Sequence, residues 1–248
     1  MSKLSFRVIG AGRAGGSIER VLKKVGWTAA PTLHHTDDLT DAAKGVDVVV
    51  VATPDAAIAA TAARVTPVAT TAVVHLSGSL GLDVLAPHAR RASVHPMLAL
   101  SDPDTGARRL LDHASFALNE HGDAIGAEIV AALDGRTVTL ADDADVRTLH
   151  HAACCVAGNY VTTVLGQVER LAAAAGVPVD AYLELARGAI DNVDDLGAAR
   201  ALTGPVARGD HGTVDRHRAA IVKHSRRDRA MYDALASATA ELASDRCK

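Results

Sequence analysis

Aromatic residues are scarce in this sequence, which has two Phe, one Trp and three Tyr among 248 residues. So few rings leave no platform on which the bases of a nucleic acid could stack. Acidic and basic residues are interspersed and the formal net charge is −3, so a broad basic face is not expected either. We therefore do not expect nucleic-acid binding.

Long apolar runs and paired cysteines are lacking as well. No stretch of about 18 uncharged apolar residues offers a membrane-spanning helix, and a glycine-rich segment interrupts any signal-peptide core. Cys154 and Cys155 are neighbours that would point in different directions on a helix, so with Cys247 they make a poor disulfide framework. We expect a cytoplasmic protein without membrane contact.

A glycine-rich turn between a strand and a helix organises the chain. Residues 6–22 read FRVIGAGRAGGSIERVL, with three glycines spaced as G-x-G-x-x-G. In a dinucleotide site the first glycine permits the tight turn, the second lets backbone N–H groups approach a pyrophosphate, and the third lets the helix pack closely. The partial positive charge of the helix N-terminus then faces the phosphates. The predicted cofactor contacts are Gly10, Ala11, Gly12, Arg13, Ala14 and Gly15. The alternative is a turn of this shape that binds nothing.

The choice between NAD and NADP depends on the end of the second predicted strand, residues 27–33. An acidic residue there would bind the ribose 2′-hydroxyl of NAD, but the strand ends at His34 and His35. The next acidic residues, Asp37 and Asp38, lie slightly beyond the end of the strand. These histidines and Arg13 would attract a phosphate, so we expect NADP, in contact with His35, in preference to NAD. The alternative for the histidines is a solvated loop.

Strand and helix signals alternate over residues 1–141. The predicted strands after the second are residues 46–52, 71–76, 92–94, 115–118 and 137–140. Residues 46–52 (VDVVVVA) lack polar alternation, as expected for a parallel strand that is buried on both faces. The pattern indicates an α/β fold, a doubly wound sheet with helices on both faces.

Polar residues follow three of these strands, where the ligand crevice of such a sheet lies. Thr53 and Pro54 follow the most apolar strand and are expected to flank the cofactor. Ser77, as a catalytic candidate, and His95, as a substrate-binding candidate, follow the next two strands. The alternative for His95 is a turn residue held by the following proline, and Asp55 is interpreted as a helix-start residue.

Strand signals vanish beyond residue 141, which predicts two domains. Residues 1–141 would form the dinucleotide-binding domain and residues 142–248 an all-α domain. A long helix is expected over residues 143–175, because Gly176 and Pro178 provide a normal stop signal. Further helices are predicted over residues 179–192, 214–224 and 227–244.

The long predicted helix carries two candidate catalytic residues, His151 and Asn159. On a regular helix they differ by about 80° in direction, whereas His150 lies about 180° from Asn159 and is expected to point elsewhere. A histidine can donate a proton to a developing alkoxide, and an amide can orient a substrate carbonyl. The alternative is that both are ordinary polar residues.

The same helix raises the question of a metal, because His150 and Cys154, and likewise His151 and Cys155, are four residues apart. The two pairs face about 100° apart, so at most two ligands converge. We expect no metal, and we interpret the cysteines as small apolar residues.

Residues 202–210, LTGPVARGD, are punctuated by Gly and Pro and are predicted to form a shaped loop. Arg208 offers a bidentate fork for a substrate carboxylate, Thr203 offers a hydrogen bond, and His217 lies on the following helix. Asp210 would either fix the arginine fork or cap that helix. The alternative is a connecting loop with a surface Arg–Asp pair.

The chain resembles one family through features that follow in order: GAGRAGGS, VVVVATPDAAI, HLSGSLG, SVHPM, HHAACCVAGNYV, ALTGPVARGD and His217. These are the Rossmann-like proteins with a C-terminal helical domain of uncharacterised function, which are assigned only as oxidoreductases. More distantly, the chain is similar to ketopantoate reductases, pyrroline-5-carboxylate reductases and β-hydroxyacid dehydrogenases. The resemblance implies a Rossmann domain, a helical domain like the C-terminal domain of 6-phosphogluconate dehydrogenase, a nicotinamide cofactor and a homodimer through the C-terminal helices.

One departure from the distant relatives is a missing lysine. β-Hydroxyacid dehydrogenases and ketopantoate reductases carry a catalytic lysine on the long helix, whereas this chain has no lysine between Lys44 and Lys223. His151 is the candidate replacement, and Asn159 is the counterpart of the family's asparagine. The resulting hypothesis is an NADP-dependent oxidoreductase that reduces a small oxo acid whose carboxylate binds Arg208. The alternatives are an imine reductase of the pyrroline-5-carboxylate reductase type and a non-catalytic NADP-binding regulatory protein.

Overall fold

The computed structural model describes residues 3–245, so Cys247 lies outside the described residues. The chain divides into two compact units between Gly158 and Asn159, and not near residue 141 as the change of composition predicts. The division comes later because the helix over Ala144–Cys155 has side chains that contact residues of the first unit.

A seven-stranded sheet in the order β2-β1-β3-β4-β5-β6-β7 forms the first unit. The strands are Ser5–Ile9 (β1), Thr28–Ala29 (β2), Val48–Val51 (β3), Ala72–His75 (β4), Arg91–Pro96 (β5), Ser115–Asn119 (β6) and Arg136–Leu140 (β7). Strands β1 to β5 are parallel, whereas β6 is antiparallel to β5 and β7 is parallel to β6. The doubly wound α/β prediction is confirmed, although the sheet is not wholly parallel and β2 is shorter than predicted.

Helices cover this sheet. Those described in the first unit are Arg13–Lys24 (α1), Asp55–Ala62 (α2), Pro103–Leu110 (α3), Ile125–Ala132 (α4) and Ala144–Cys155 (α5). Helix α3 was not predicted, although its start has clear signals: the side chain of Asp102 accepts hydrogen bonds from two backbone N–H groups, and a proline occupies the first turn.

The side chains of β3 alternate between two apolar clusters. Val48 and Val50 pack with Phe6 in one cluster, whereas Val49 and Val51 belong to the other. Because successive strand residues point to opposite faces of a sheet, β3 is buried on both faces, as predicted. Polar groups near β3 are therefore confined to the loops at its ends.

The second unit is helical. Its α-helices are Val161–Ala175 (α6), Val179–Leu196 (α7), Ala198–Ala201 (α8), His211–His224 (α9) and Arg229–Ser244 (α10). Gly176, with φ of +69°, ends α6 as predicted, and residues 202–210 form a loop. A π-helical turn, Val156–Tyr160, interrupts the single helix predicted over residues 143–175. In the part of the chain that the structure describes, none of the helices is both long and apolar enough to cross a membrane.

A buried aspartate fastens helices within the second unit. Asp228 is 2% exposed, and its carboxylate accepts hydrogen bonds from Nε of Arg170 at 2.9 Å and from Oγ of Ser225 at 2.5 Å. Gln167 Nε2 donates to the backbone oxygen of the same residue at 2.7 Å. This network joins α6 to the turn before α10, and its charge is balanced by the arginine.

Candidate functional site

Two glycines of the turn after β1 are required by close backbone packing. Gly10 has φ of +103°, and a Cβ on it would lie 2.8 Å from the carbonyl oxygen of Ala52. A Cβ on Gly15 would lie 1.9 Å from the carbonyl oxygen of Gly10 and 2.8 Å from the Cβ of Ala52. Side chains at these positions would separate the start of α1 from the end of β3.

Gly12 differs, because a Cβ built on it meets no atom within 4 Å. It is the N-cap residue of α1 and its helix has no side-chain cap. Gly12 and Arg13 are exposed at this end of the helix, and the first N–H groups of α1 have no partner inside the helix. Such a helix N-terminus is suited to a phosphate group, so the residues present fit a bound dinucleotide.

The loop after β2 holds the predicted phosphate-binding histidines. Asp37 Oδ2 accepts a hydrogen bond from the backbone N–H of His34 at 2.7 Å. Arg64 donates to the backbone oxygens of His35 and Asp37 at 2.5 and 2.6 Å. His34, His35 and Arg13 are exposed. The carboxylate of Asp37 is thus engaged within its own loop. Sequence reasoning missed Arg64 because it lies 29 residues from His35.

The loops after β3 and β4 are joined through Asp55. Ser77 Oγ donates to Asp55 Oδ2 at 2.6 Å, and Ser79 Oγ donates to the same oxygen at 3.1 Å. Asp55 is the first residue of α2, in agreement with its interpretation as a helix-start residue. Its contact with the two serines had no separate signal in the sequence. In the same loop Thr53 Oγ1, next to Pro54, is buried without a hydrogen-bond partner.

Three histidines and a cysteine meet at the end of β5. His95 Nδ1 lies 3.2 Å from His150 Nε2, and Cys154 Sγ lies 3.6 Å from the same nitrogen. The ring of His151 has its centroid 6.0 Å from that of His95. Gly78 permits this arrangement, because a Cβ there would lie 2.6 Å from Cε1 of His95.

Burial favours the neutral form of His95, His75 and His150. Burial, together with repulsion from His150 and His151, lowers the pKa of His95 to about 4. Burial likewise lowers the pKa of His75, at the end of β4, to about 4, and it lowers the pKa of His150. At neutral pH the rings of His95, His75 and His150 therefore each have one N–H donor and one bare nitrogen. His151 Nδ1 is buried without a hydrogen-bond partner.

The expectation that His150 points elsewhere is wrong, because its Nε2 contacts His95. The expected direction was taken relative to Asn159 on a regular helix, but Asn159 lies within the π-helical turn Val156–Tyr160, where the helical phase changes. The sequence analysis considered metal ligands on one helix only and therefore missed His95, the third member of the cluster, which lies on β5.

The loop at residues 202–210 and its neighbours belong to the second unit. Asp210 accepts hydrogen bonds from N and Oγ1 of Thr213 at 2.9 and 2.6 Å, so it caps α9 in place of fixing the arginine fork. Arg208 and Thr203 are exposed. An exposed guanidinium next to a shaped loop is available to an anionic group.

Two further predicted residues also lie in the second unit. His217 Nδ1 is 2.8 Å from the hydroxyl oxygen of Tyr232, a contact that sequence reasoning missed. Asn159 is exposed, and its backbone oxygen accepts a hydrogen bond from Thr163 Oγ1 at 3.0 Å. The structure thus brings Ser77, His95 and His151 into the first unit, while the other predicted substrate contacts belong to the second.

Residues 115–239, about half of the chain, match the family described as Domain of unknown function (DUF2520). The chain belongs to the DUF2520 family. The predicted resemblance to Rossmann-like proteins with a helical domain of uncharacterised function is thereby confirmed. A search of curated proteins finds no match to the chain.

Solved structures share the fold of this DUF2520 protein. Protein TM1727 from Thermotoga maritima is 22% identical, with a TM-score of 0.70 over 98% of this chain and 100% of its own. BF3122 from Bacteroides fragilis, provisionally assigned as an NADP oxidoreductase, is 18% identical, with a TM-score of 0.78 over 96% and 98%. A reductive aminase from Aspergillus terreus, in complex with NADPH and ethyl levulinate, is 17% identical, with a TM-score of 0.70 over 98% of each chain. At these identities the likeness establishes the Rossmann-like fold with its helical C-terminal part.

Proposed function

We propose that this protein is an NADPH-dependent oxidoreductase that reduces the C=O or C=N bond of a small molecule, with an oxo acid as the first candidate. The observation that carries the proposal is the open N-terminus of α1 above Gly12, in a turn that Gly10 and Gly15 hold against β3. The relatives of the same fold crystallised with NADPH or NADP⁺ support this choice of cofactor.

In this proposal the pyrophosphate binds the backbone of residues 10–15, and Thr53 and Pro54 flank the cofactor. Arg13 and His35 receive the 2′-phosphate that distinguishes NADP from NAD. The engagement of Asp37 with His34 supports NADP, since that carboxylate is already occupied. NADPH, when bound, supplies a hydride to the substrate carbon.

His151 is the proposed proton donor in place of the missing lysine. Its Nδ1 is buried without a partner, so an N–H there gains a hydrogen bond when a substrate oxygen or nitrogen approaches. Ser77 donates to Asp55 and is 5% exposed, so we assign it a positioning role between the loops after β3 and β4. His95 is the proposed substrate contact beside His151.

For the second unit we propose that Arg208 binds the carboxylate of the substrate. Asn159, Thr203 and His217 are proposed as polar contacts of the substrate, whereas Asp210 supports the loop by capping α9. We also propose a homodimer through the C-terminal helices, because α7 contains no buried residue within one chain.

An imine substrate is the second candidate. The reductive aminase from Aspergillus terreus and the imine reductase from Myxococcus stipitatus, the latter in complex with NADP⁺, share the fold at 17% identity each. The missing lysine favours a third candidate, a regulatory protein that binds NADP without turnover.

Loss of NADPH absorbance with a panel of oxo acids, including ketopantoate, tests these candidates. Each acid is supplied with and without an amine, and cyclic imines are included. Turnover of an oxo acid alone supports the first candidate, and turnover only with an amine or imine supports the second. NADPH binding without any turnover would contradict both and favour the regulatory protein.

A further inference from the structure

Three potential metal ligands converge beside β5 within the first unit. One ligand atom each from His95, His150 and Cys154 lies within 4.8 Å of the other two. A tetrahedral zinc site with Zn–N near 2.05 Å and Zn–S near 2.3 Å places its ligand atoms about 3.3 Å (N to N) and 3.6 Å (N to S) apart. The observed distances from His150 Nε2 are 3.2 Å to His95 Nδ1 and 3.6 Å to Cys154 Sγ. Both distances from His150 Nε2 therefore match those between ligands of one ion, and the third pair lies within 4.8 Å.

Secondary structure holds each of these ligands. His150 and Cys154 are one turn apart on α5 and share a face of the helix. His95 comes from β5, and the backbone of Gly78 packs against its ring. The ligands come from two elements, one of them a strand of the central sheet. Such a site is organised by the fold before an ion binds.

The donor set selects a class of ion. Two imidazole nitrogens and one thiolate suit a borderline-soft transition metal, whereas Mg²⁺ and Ca²⁺ require oxygen ligands. We propose that His95, His150 and Cys154 bind one divalent transition-metal ion, with Zn²⁺ as the best match. Three protein ligands leave a fourth tetrahedral position for water or for an oxygen or nitrogen of a small molecule.

The competing explanation is a cluster held by hydrogen bonds alone, in which an N–H of one imidazole donates to the bare nitrogen of the other. That cluster needs no thiolate, because Cys154 then contributes only a weak S–H contact at 3.6 Å. The contribution of the sulfur therefore separates the two explanations.

Cobalt substitution of the full chain provides the test. Protein stripped of metal with a chelator is titrated with Co²⁺, and the visible and near-ultraviolet spectra are followed. We expect one equivalent to bind, with tetrahedral d–d bands and a thiolate-to-cobalt charge-transfer band. Stoichiometric Zn²⁺ should displace the cobalt, and metal analysis after dialysis should find one zinc for each chain.

Variants assign the signal to the proposed ligands. Cys154→Ser should abolish the charge-transfer band, and His150→Asn should weaken Co²⁺ binding at least about 100-fold, a loss no smaller than that from removing an outer-shell partner. Cys155→Ser is the matched control, since this neighbouring thiol is not in the cluster, and it should leave both signals unchanged. Far-ultraviolet circular dichroism checks that each variant is folded.

Two results would overturn the site: no cobalt bands in the folded wild-type protein, or bands that survive Cys154→Ser. Neither readout involves NADPH or turnover, so failure of this site leaves the proposed function standing, and failure of the proposed function leaves this site standing.

Discussion

Nδ1 of His95 lies 3.2 Å from Nε2 of His150, although the residues are 55 positions apart in sequence. The contact joins a strand of the central sheet to the helix that follows the last strand, and it places His151 and Cys154 beside the same strand end. The chemistry proposed for this protein is organised around that contact.

Replacing Gly15 with alanine should destabilise the first unit. The new Cβ would lie 1.9 Å from the carbonyl oxygen of Gly10, so α1 must move away from the sheet, at a cost of about 2 kcal/mol or more. Urea unfolding measures the change. Gly188→Ala in α7 is the control: its Cβ meets no atom within 4 Å, and a gain of about 0.5–1 kcal/mol is expected. Equal effects of the two substitutions would contradict this packing.

Replacing His151 with alanine should lower kcat about 100-fold, as expected when a general acid is lost, without changing the Kd for NADPH. The comparison requires the substrate that the oxo-acid and imine screen identifies. Full turnover by this variant would remove His151 as the proton donor. His121→Ala, which replaces an exposed histidine, is the matched control and should retain kcat.

Stability of the second unit should depend on pH through Asp228. The hydrogen bonds from Arg170, and then that from Ser225, lower the pKa of this carboxyl below its ordinary value. Because its pKa is lower in the folded than in the unfolded protein, the ionised carboxyl stabilises the fold. This stabilisation is complete above the unfolded-state pKa, about 4, and is lost as pH falls through the folded-state pKa. Asp228→Asn should therefore lower the unfolding midpoint near pH 7, and this difference should shrink toward pH 3. A difference that is constant with pH would contradict the role of this charge.

The apolar face of α7 should mediate self-association. Leu185 is 71% exposed and Leu196 is 45% exposed within one chain, and their spacing places them on one face of the helix. We expect a dimer in light scattering, and a monomer when both leucines become aspartate. Val138→Asp, at a 39% exposed position of β7 in the first unit, is the control and should remain dimeric. A wild-type monomer at micromolar concentration would contradict the homodimer.

Much of the fold was predictable because its turns and strands depend on residues that are close together in the sequence. The glycine turn and the unalternated strand around Val48–Val51 depend on residues within a few positions. The sequence did not indicate that β6 runs antiparallel to β5, because strand direction is decided by connections across the sheet.

The candidate site was only partly predictable for a similar reason. Ser77, His95 and His151 follow from strand ends and helix positions, but the contact of His150 with His95 joins a helix to a strand 55 positions away. Asp55 and Arg64 act on residues 22 and 29 positions away, respectively, and such contacts exist only in the folded chain.

Titration of NADPH fluorescence tests the central claim, that the glycine turn binds a dinucleotide. We predict saturable binding with one equivalent for each chain, stronger for NADPH than for NADH. Gly12→Val should weaken that binding about tenfold or more, because its side chain enters the open space above α1, while the melting temperature is retained. A flat titration of the wild-type protein with both NADPH and NADH would contradict the account.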